Sequence, residues 1–124
     1  MKIEQQVVSL KLAKELRANG YKQEGLFYWC GDEDIIVVEC DLNNNAKEMV
    51  SNFICFAPTA AELGEVLPDK IKCPFGKAEL FLQKEFVYYA KKLKHIAIVC
   101  SELATTEAEA RAKMWLYLKK QKLI

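Results

Sequence analysis

The chain has 124 residues, 52% apolar and 28% charged, a size and balance that suit one globular domain over residues 1–124 and exclude an intrinsically disordered protein. Eighteen basic against 17 acidic residues leave a formal charge of +1, so any nucleic acid or acidic membrane must be met by a local patch rather than by net charge. No apolar run approaches the roughly 18 residues of a membrane span, and the opening Met1-Lys2-Ile3-Glu4-Gln5-Gln6 lacks the apolar core of a secretory signal, so the expected location is the cytoplasm.

From Leu10 to Asn19 the apolar residues Leu12, Ala13 and Leu16 share one helical face and charged residues fill the rest, which predicts an amphipathic helix. Ser9 is placed to cap its start, and Gly20 to close its end in the left-handed conformation. The stretches Leu26–Cys30 and Ile35–Cys40 are aromatic and β-branched, with Gly31-Asp32-Glu33-Asp34 between them; they predict a β-hairpin. Asn43-Asn44-Asn45 signals a loop, and Asn52 to Phe56 a third strand.

Pro58 discourages further strand, while Thr59 with Glu62 three residues on forms a capping-box pattern for a short helix to about Leu67, ended by Pro68. Asp69 to Gly76, with Pro74 and Gly76, reads as a loop. Residues 78–90 fit a buried helix nearly as well as two strands, and their aromatic and β-branched content favours strands. A further strand spans Ile96 to Cys100. The last element carries the clearest signals: Thr106 and Glu109 form a second capping box, acidic residues begin the helix and Lys119, Lys120 and Lys122 end it, as the helix dipole favours. Glu107 with Arg111 and Glu109 with Lys113 are spaced for i,i+4 ion pairs, and Ala108, Ala112, Trp115, Leu116 and Leu118 form the face to be buried. Short connections favour antiparallel neighbours, so the expected fold is α+β: one twisted antiparallel sheet of about five or six strands with the N- and C-terminal helices packed on it and a short middle helix.

Three blocks carry a resemblance. The first runs from Ser9 through Leu16 to Gly20, Gln23-Glu24 and Phe27-Tyr28-Trp29; the second is Ala57 to Pro68; the third is Thr106 to Met114. In that order the chain resembles a group of small uncharacterised proteins of phages, prophages and gut bacteria of the Bacteroides type. The resemblance implies a mobile-element origin and an alpha-beta-alpha sandwich, and brings no activity or functional residue with it. The chain departs from the group at Gly25, where serine is expected, and over Asp41 to Ser51.

Candidate chemistry is sparse. Five cysteines, Cys30, Cys40, Cys55, Cys73 and Cys100, are odd in number and form no C-x-x-C pair, so neither a disulfide framework nor a zinc site is indicated. Four of them sit in apolar runs as small hydrophobes. Cys73 beside Lys72 reads as a loop thiol whose neighbouring charge favours the thiolate, and His95 is the single histidine that any Cys-His or Ser-His-Asp mechanism would need. Asp32, Glu33 and Asp34 offer carboxylates in a turn without EF-hand spacing, with Glu39 and Asp41 beyond. No dinucleotide fingerprint, P-loop or G-x-S-x-G occurs, and no metal or cofactor is expected. For nucleic acid, Tyr88 and Tyr89 beside Lys91, Lys92 and Lys94, together with Lys119, Lys120 and Lys122, would combine stacking with phosphate contacts. The first expectation is a small non-enzymatic accessory protein that binds another protein. Nucleic-acid binding through those patches comes second, and a small enzyme using Cys73 or His95 third.

Overall fold

The computed structural model describes residues 2–31, 35–39, 52–73, 76–92 and 96–124. Helices α1 (Ile3–Gln6) and α2 (Leu10–Ala18) precede strands β1 (Phe27–Cys30), β2 (Ile36–Glu39) and β3 (Phe53–Phe56). After α3 (Ala60–Val66) come β4 (Lys70–Cys73), β5 (Gly76–Leu82), β6 (Phe86–Lys92) and β7 (Ile96–Leu103), and α4 (Glu107–Lys120) ends the chain.

The α+β class is as expected, but the strands form two sheets rather than one. A three-stranded sheet has the order β2-β1-β3 and a four-stranded sheet the order β4-β5-β6-β7, all pairs antiparallel. In the four-stranded sheet each strand pairs with the next in sequence, whereas in the three-stranded sheet β1 is central and pairs with both β2 and β3. Between β3 and β4 stand Pro58, α3 and Pro68, which interrupt the strands and carry the chain off to begin a four-stranded meander. The segment read as a loop at Asp69 to Gly76 contains β4, whose alternation is clear once seen: Ile71 is buried and Lys70 and Lys72 are exposed. Residues 78–90 are indeed two strands, β5 and β6, closed where Gln83 N donates to Phe86 O at 2.9 Å.

Helix ends follow their signals. The Ser9 hydroxyl accepts from Leu12 N at 3.4 Å, and Gly20 takes φ +89° after α2. Thr59 and Glu62 close a reciprocal box with bonds of 3.0 and 3.2 Å. Gly25 has φ +155°, and a Cβ there would stand 2.5 Å from Glu62 Oε2, so a serine at this position would collide with the carboxylate that closes the box. Gly64 lets α4 cross α3 closely: a Cβ on it would lie 2.9 Å from Arg111 Nη1, which donates to Ala60 O at 2.6 Å.

At α4 the second capping box is only half formed. Thr106 accepts from Glu109 N at 3.2 Å, but Glu109 Oε1 accepts from Ser9 N at 2.6 Å instead of reaching back to its own cap. Leu12, at the third position of α2, has no carboxylate to bond the Ser9 N–H, so α4 supplies one to α2. Lys113 accordingly donates to Leu103 O at 3.2 Å rather than pairing with Glu109, and Arg111 stands 3.9 Å from Glu107. Charge-assisted bonds of this kind contribute about 1.5–3 kcal/mol. Glu109→Ala is therefore expected to lower unfolding free energy by about that amount in urea titration, with Glu109→Gln recovering part of it.

One core joins these elements. Trp29, Val37 and Cys55 from the first sheet, Ile71, Ala78, Val87 and Tyr89 from the second, and buried residues of α2, α3 and α4 form one cluster. Helix α4 touches β6 and β7 on one side and α2 and α3 on another, and α2 touches β3. The helices stand between the inner faces of two sheets, the reverse of the helix-sheet-helix order of an alpha-beta-alpha sandwich. Helix α4 accordingly buries Ala110 and Met114 as well as the five residues expected. A smaller cluster, Tyr28 and Phe56 with Cys30, Val38 and Phe53, lies on the other face of the three-stranded sheet.

Candidate functional site

Alternation along a strand divides the four-stranded sheet into two chemically different faces. Ile71, Ala78, Leu80, Val87, Tyr89 and Cys100 belong to the core or pack against it. Their strand neighbours fall on the outer face. The register makes levels across it: Lys72 opposes Lys77, Lys70 opposes Glu79, Phe81 opposes Tyr88, Tyr88 opposes Ser101, and Phe86 opposes Leu103. A register shift between Tyr89 and Ala90 brings Ile98 opposite Ala90, so it too lies on this side.

The face is polarised along the strands. At the end near the β5–β6 turn, Tyr88 is stacked by two rings, Phe81 at 5.0 Å and 7° and Phe86 at 5.0 Å and 29°. Leu103, opposite Phe86, is 67% exposed, whereas Ile98, 54% exposed, lies farther from the turn at the Ala90–Glu79–Lys70 level. The three rings and Leu103 make an apolar surface of the kind that marks an interaction site. At the other end, by the β4–β5 hairpin, Lys70, Lys72 and Lys77 are exposed, and among the described residues of this face Glu79 is the carboxylate beside them.

The two tyrosines singled out for nucleic acid part company here. Tyr88 is on the outer face, whereas Tyr89 is fully buried and donates its hydroxyl to Pro68 O at 2.6 Å. Burial, then the neighbouring Cys100 and Asp69, holds the Tyr89 phenol well above its ordinary range. Lys91 is half-buried, and its Nζ lies 3.0 Å from where a Cβ on Gly76 would stand. Lys92 ends β6, and Lys94 and His95 lie outside the described residues. Lys119, Lys120 and Lys122 are exposed at the end of α4, with Lys119 Nζ 5.7 Å from the Trp115 ring centre. That helix packs on the inner side of the sheet, so these lysines do not share a face with Tyr88.

Sequence reasoning missed Phe81, Phe86, Ile98, Leu103, Lys70, Lys72 and Lys77. The usable signal was period-two alternation from 70 to 88, which the loop assignment at 69–76 cut short.

Cys73 is the last residue of β4, half-buried, and lines a small cavity of about 230 Å³ with Cys100 and Tyr117. Burial raises the Cys100 thiol, with Glu102 adding to it and the backbone bond at Tyr89 opposing it. Burial also raises Cys55, against the pull of Arg17 and Lys14. A larger cleft of about 840 Å³ opens at the starts of α3 and α4, lined by Gln5, Gln6, Lys84 and Glu107 among others. Among the described residues that line it there is no cysteine, and its Thr59 and Thr106 hydroxyls accept the cap bonds of their helices. The turn carboxylates Asp32, Glu33 and Asp34, with Cys40 and Asp41, lie outside the described residues. Among the described residues no group of three or more His, Cys, Asp or Glu side chains is arranged to hold a metal ion, and no helix is long and apolar enough to cross a membrane.

Fold and site together define a mixed α+β protein with helices between two antiparallel sheets and an aromatic, half-basic face turned outward. Comparison with protein-family models, curated proteins and solved structures found no match.

Proposed function

We propose that the protein is a small non-enzymatic accessory protein, of the phage or mobile-element kind that its three sequence blocks resemble, acting in the cytoplasm by binding another protein through the outer face of the four-stranded sheet. The observation that carries this reading is the apolar end of that face, where three stacked aromatic rings sit beside the exposed Leu103. Aromatic side chains of this kind dominate binding energy at protein interfaces because they bury much area at little entropic cost.

Lysines on the same face favour a second reading, single-stranded nucleic acid held by stacking and phosphate contacts. The ring geometry weighs against it. A base needs an open ring face, and Tyr88 already has two stacked neighbours.

The test is affinity purification of the tagged chain from cells that encode it, with nuclease treatment, beside the variant Phe81→Asp. Losing the stack is worth about 0.5–1.5 kcal/mol, so the variant is expected to fold, which circular dichroism checks. The reading predicts a protein that survives nuclease and is lost from the variant. Recovery of nucleic acid alone, or equal retention by the variant, would overturn it.

A further inference from the structure

The basic end of the outer face contains an arrangement that the fold alone does not explain. Lys72 on β4 and Lys77 on β5 are direct cross-strand partners, both exposed, on the same side of the sheet. Like charges placed directly opposite on adjacent strands repel. Among the described residues neither forms a salt bridge; the one carboxylate at hand, Glu79, is opposite Lys70 instead. Across a chain whose formal charge is only +1, the excess positive charge of this face is therefore local, and it is concentrated at the Lys72–Lys77 level. Four residues along β5 separate Lys77 from Phe81, which at ~3.4 Å per residue is about 14 Å.

Resting on the reading of this face as a protein-binding surface, we propose that its partner is an acidic and apolar protein segment laid along β5. Its apolar side chains sit against Phe81, Tyr88, Phe86 and Leu103, and its carboxylates, about 14 Å away, pair with Lys72 and Lys77. The carboxylates relieve the repulsion between the two ammonium groups, so they stabilise the bound state by more than a single exposed ion pair would. The apolar end supplies the contact area; the lysine pair sets direction and rejects a segment that lies the other way round.

Two variants separate this claim from the one beneath it. In nuclease-treated purification, Lys72→Glu with Lys77→Glu is expected to lose the retained protein, and Lys72→Gln with Lys77→Gln to retain it weakly and with little dependence on salt, whereas the unaltered chain releases it progressively as salt rises. A carbodiimide reagent, which joins an amine only to a carboxylate in contact with it, is expected to couple Lys72 or Lys77 to an aspartate or glutamate of the retained protein. If the glutamate variant and salt leave retention unchanged while Phe81→Asp abolishes it, the acidic partner is wrong and the binding face stands. If Phe81→Asp also retains the protein, or only nucleic acid is recovered, both are wrong.

Discussion

Trp115→Ala is expected to lower the free energy of unfolding by about 3–5 kcal/mol, the range for truncating a buried aromatic residue. Trp115 is 7% exposed and meets Tyr21 edge to face, with ring centres 5.2 Å apart at 77°. The contact joins α4 to the segment that leaves α2. Burial, followed by Glu62 and Glu24, pushes the Tyr21 phenol up to about 12. Urea denaturation monitored by far-ultraviolet dichroism measures the loss. A cost below about 1 kcal/mol would place Trp115 outside the core.

Met114→Ala is expected to cost about 2–5 kcal/mol, although Met114 is the very next residue. On an amphipathic surface helix, neighbours 100° apart seldom both carry such a penalty. Here they do because α4 is enclosed on two sides. Met114 is fully buried and lies 4.0 Å, sulfur to sulfur, from Cys100 of the four-stranded sheet, whereas Trp115 meets Tyr21. Met114→Leu, nearly equal in volume, should cost less than about 1.5 kcal/mol. Equal tolerance of alanine and leucine at 114 would contradict the packing of α4 between the four-stranded sheet and the other helices.

Local signals were legible where they are carried by a few neighbouring residues. Ser9, Gly20, Thr59 with Glu62, and Thr106 act at the helix ends that their positions announced, because a cap is a contact over three residues. The hairpin strands and the division of 78–90 into two strands follow from side-chain shape in the same way. What the chain does not state locally is which strands pair. The split into two sheets depends on where Pro58, α3 and Pro68 redirect the backbone, and the trans cap from Glu109 to Ser9 spans 100 residues. The site was half legible for the same reason. Tyr88 was noticed, but its stacking partner Phe81 is on another strand, and the facing of Lys72 and Lys77 exists only in the register of β4 with β5. Tyr88 and Tyr89 look alike in sequence, and a period of two sends one to a surface stack and the other into the core.

The central claim is that the outer face of the four-stranded sheet is the protein-binding surface, and hydroxyl-radical footprinting tests it most directly. The chain is oxidised alone and in complex with the protein retained after nuclease treatment, and side-chain modification is read by mass spectrometry. Phe81, Phe86, Tyr88 and Leu103 are predicted to lose reactivity in the complex, while Leu26, Ile36 and Leu123, exposed elsewhere, keep theirs. Protection confined to Leu26, Ile36 or Leu123, with the aromatic stack as reactive as in the free chain, would contradict the account.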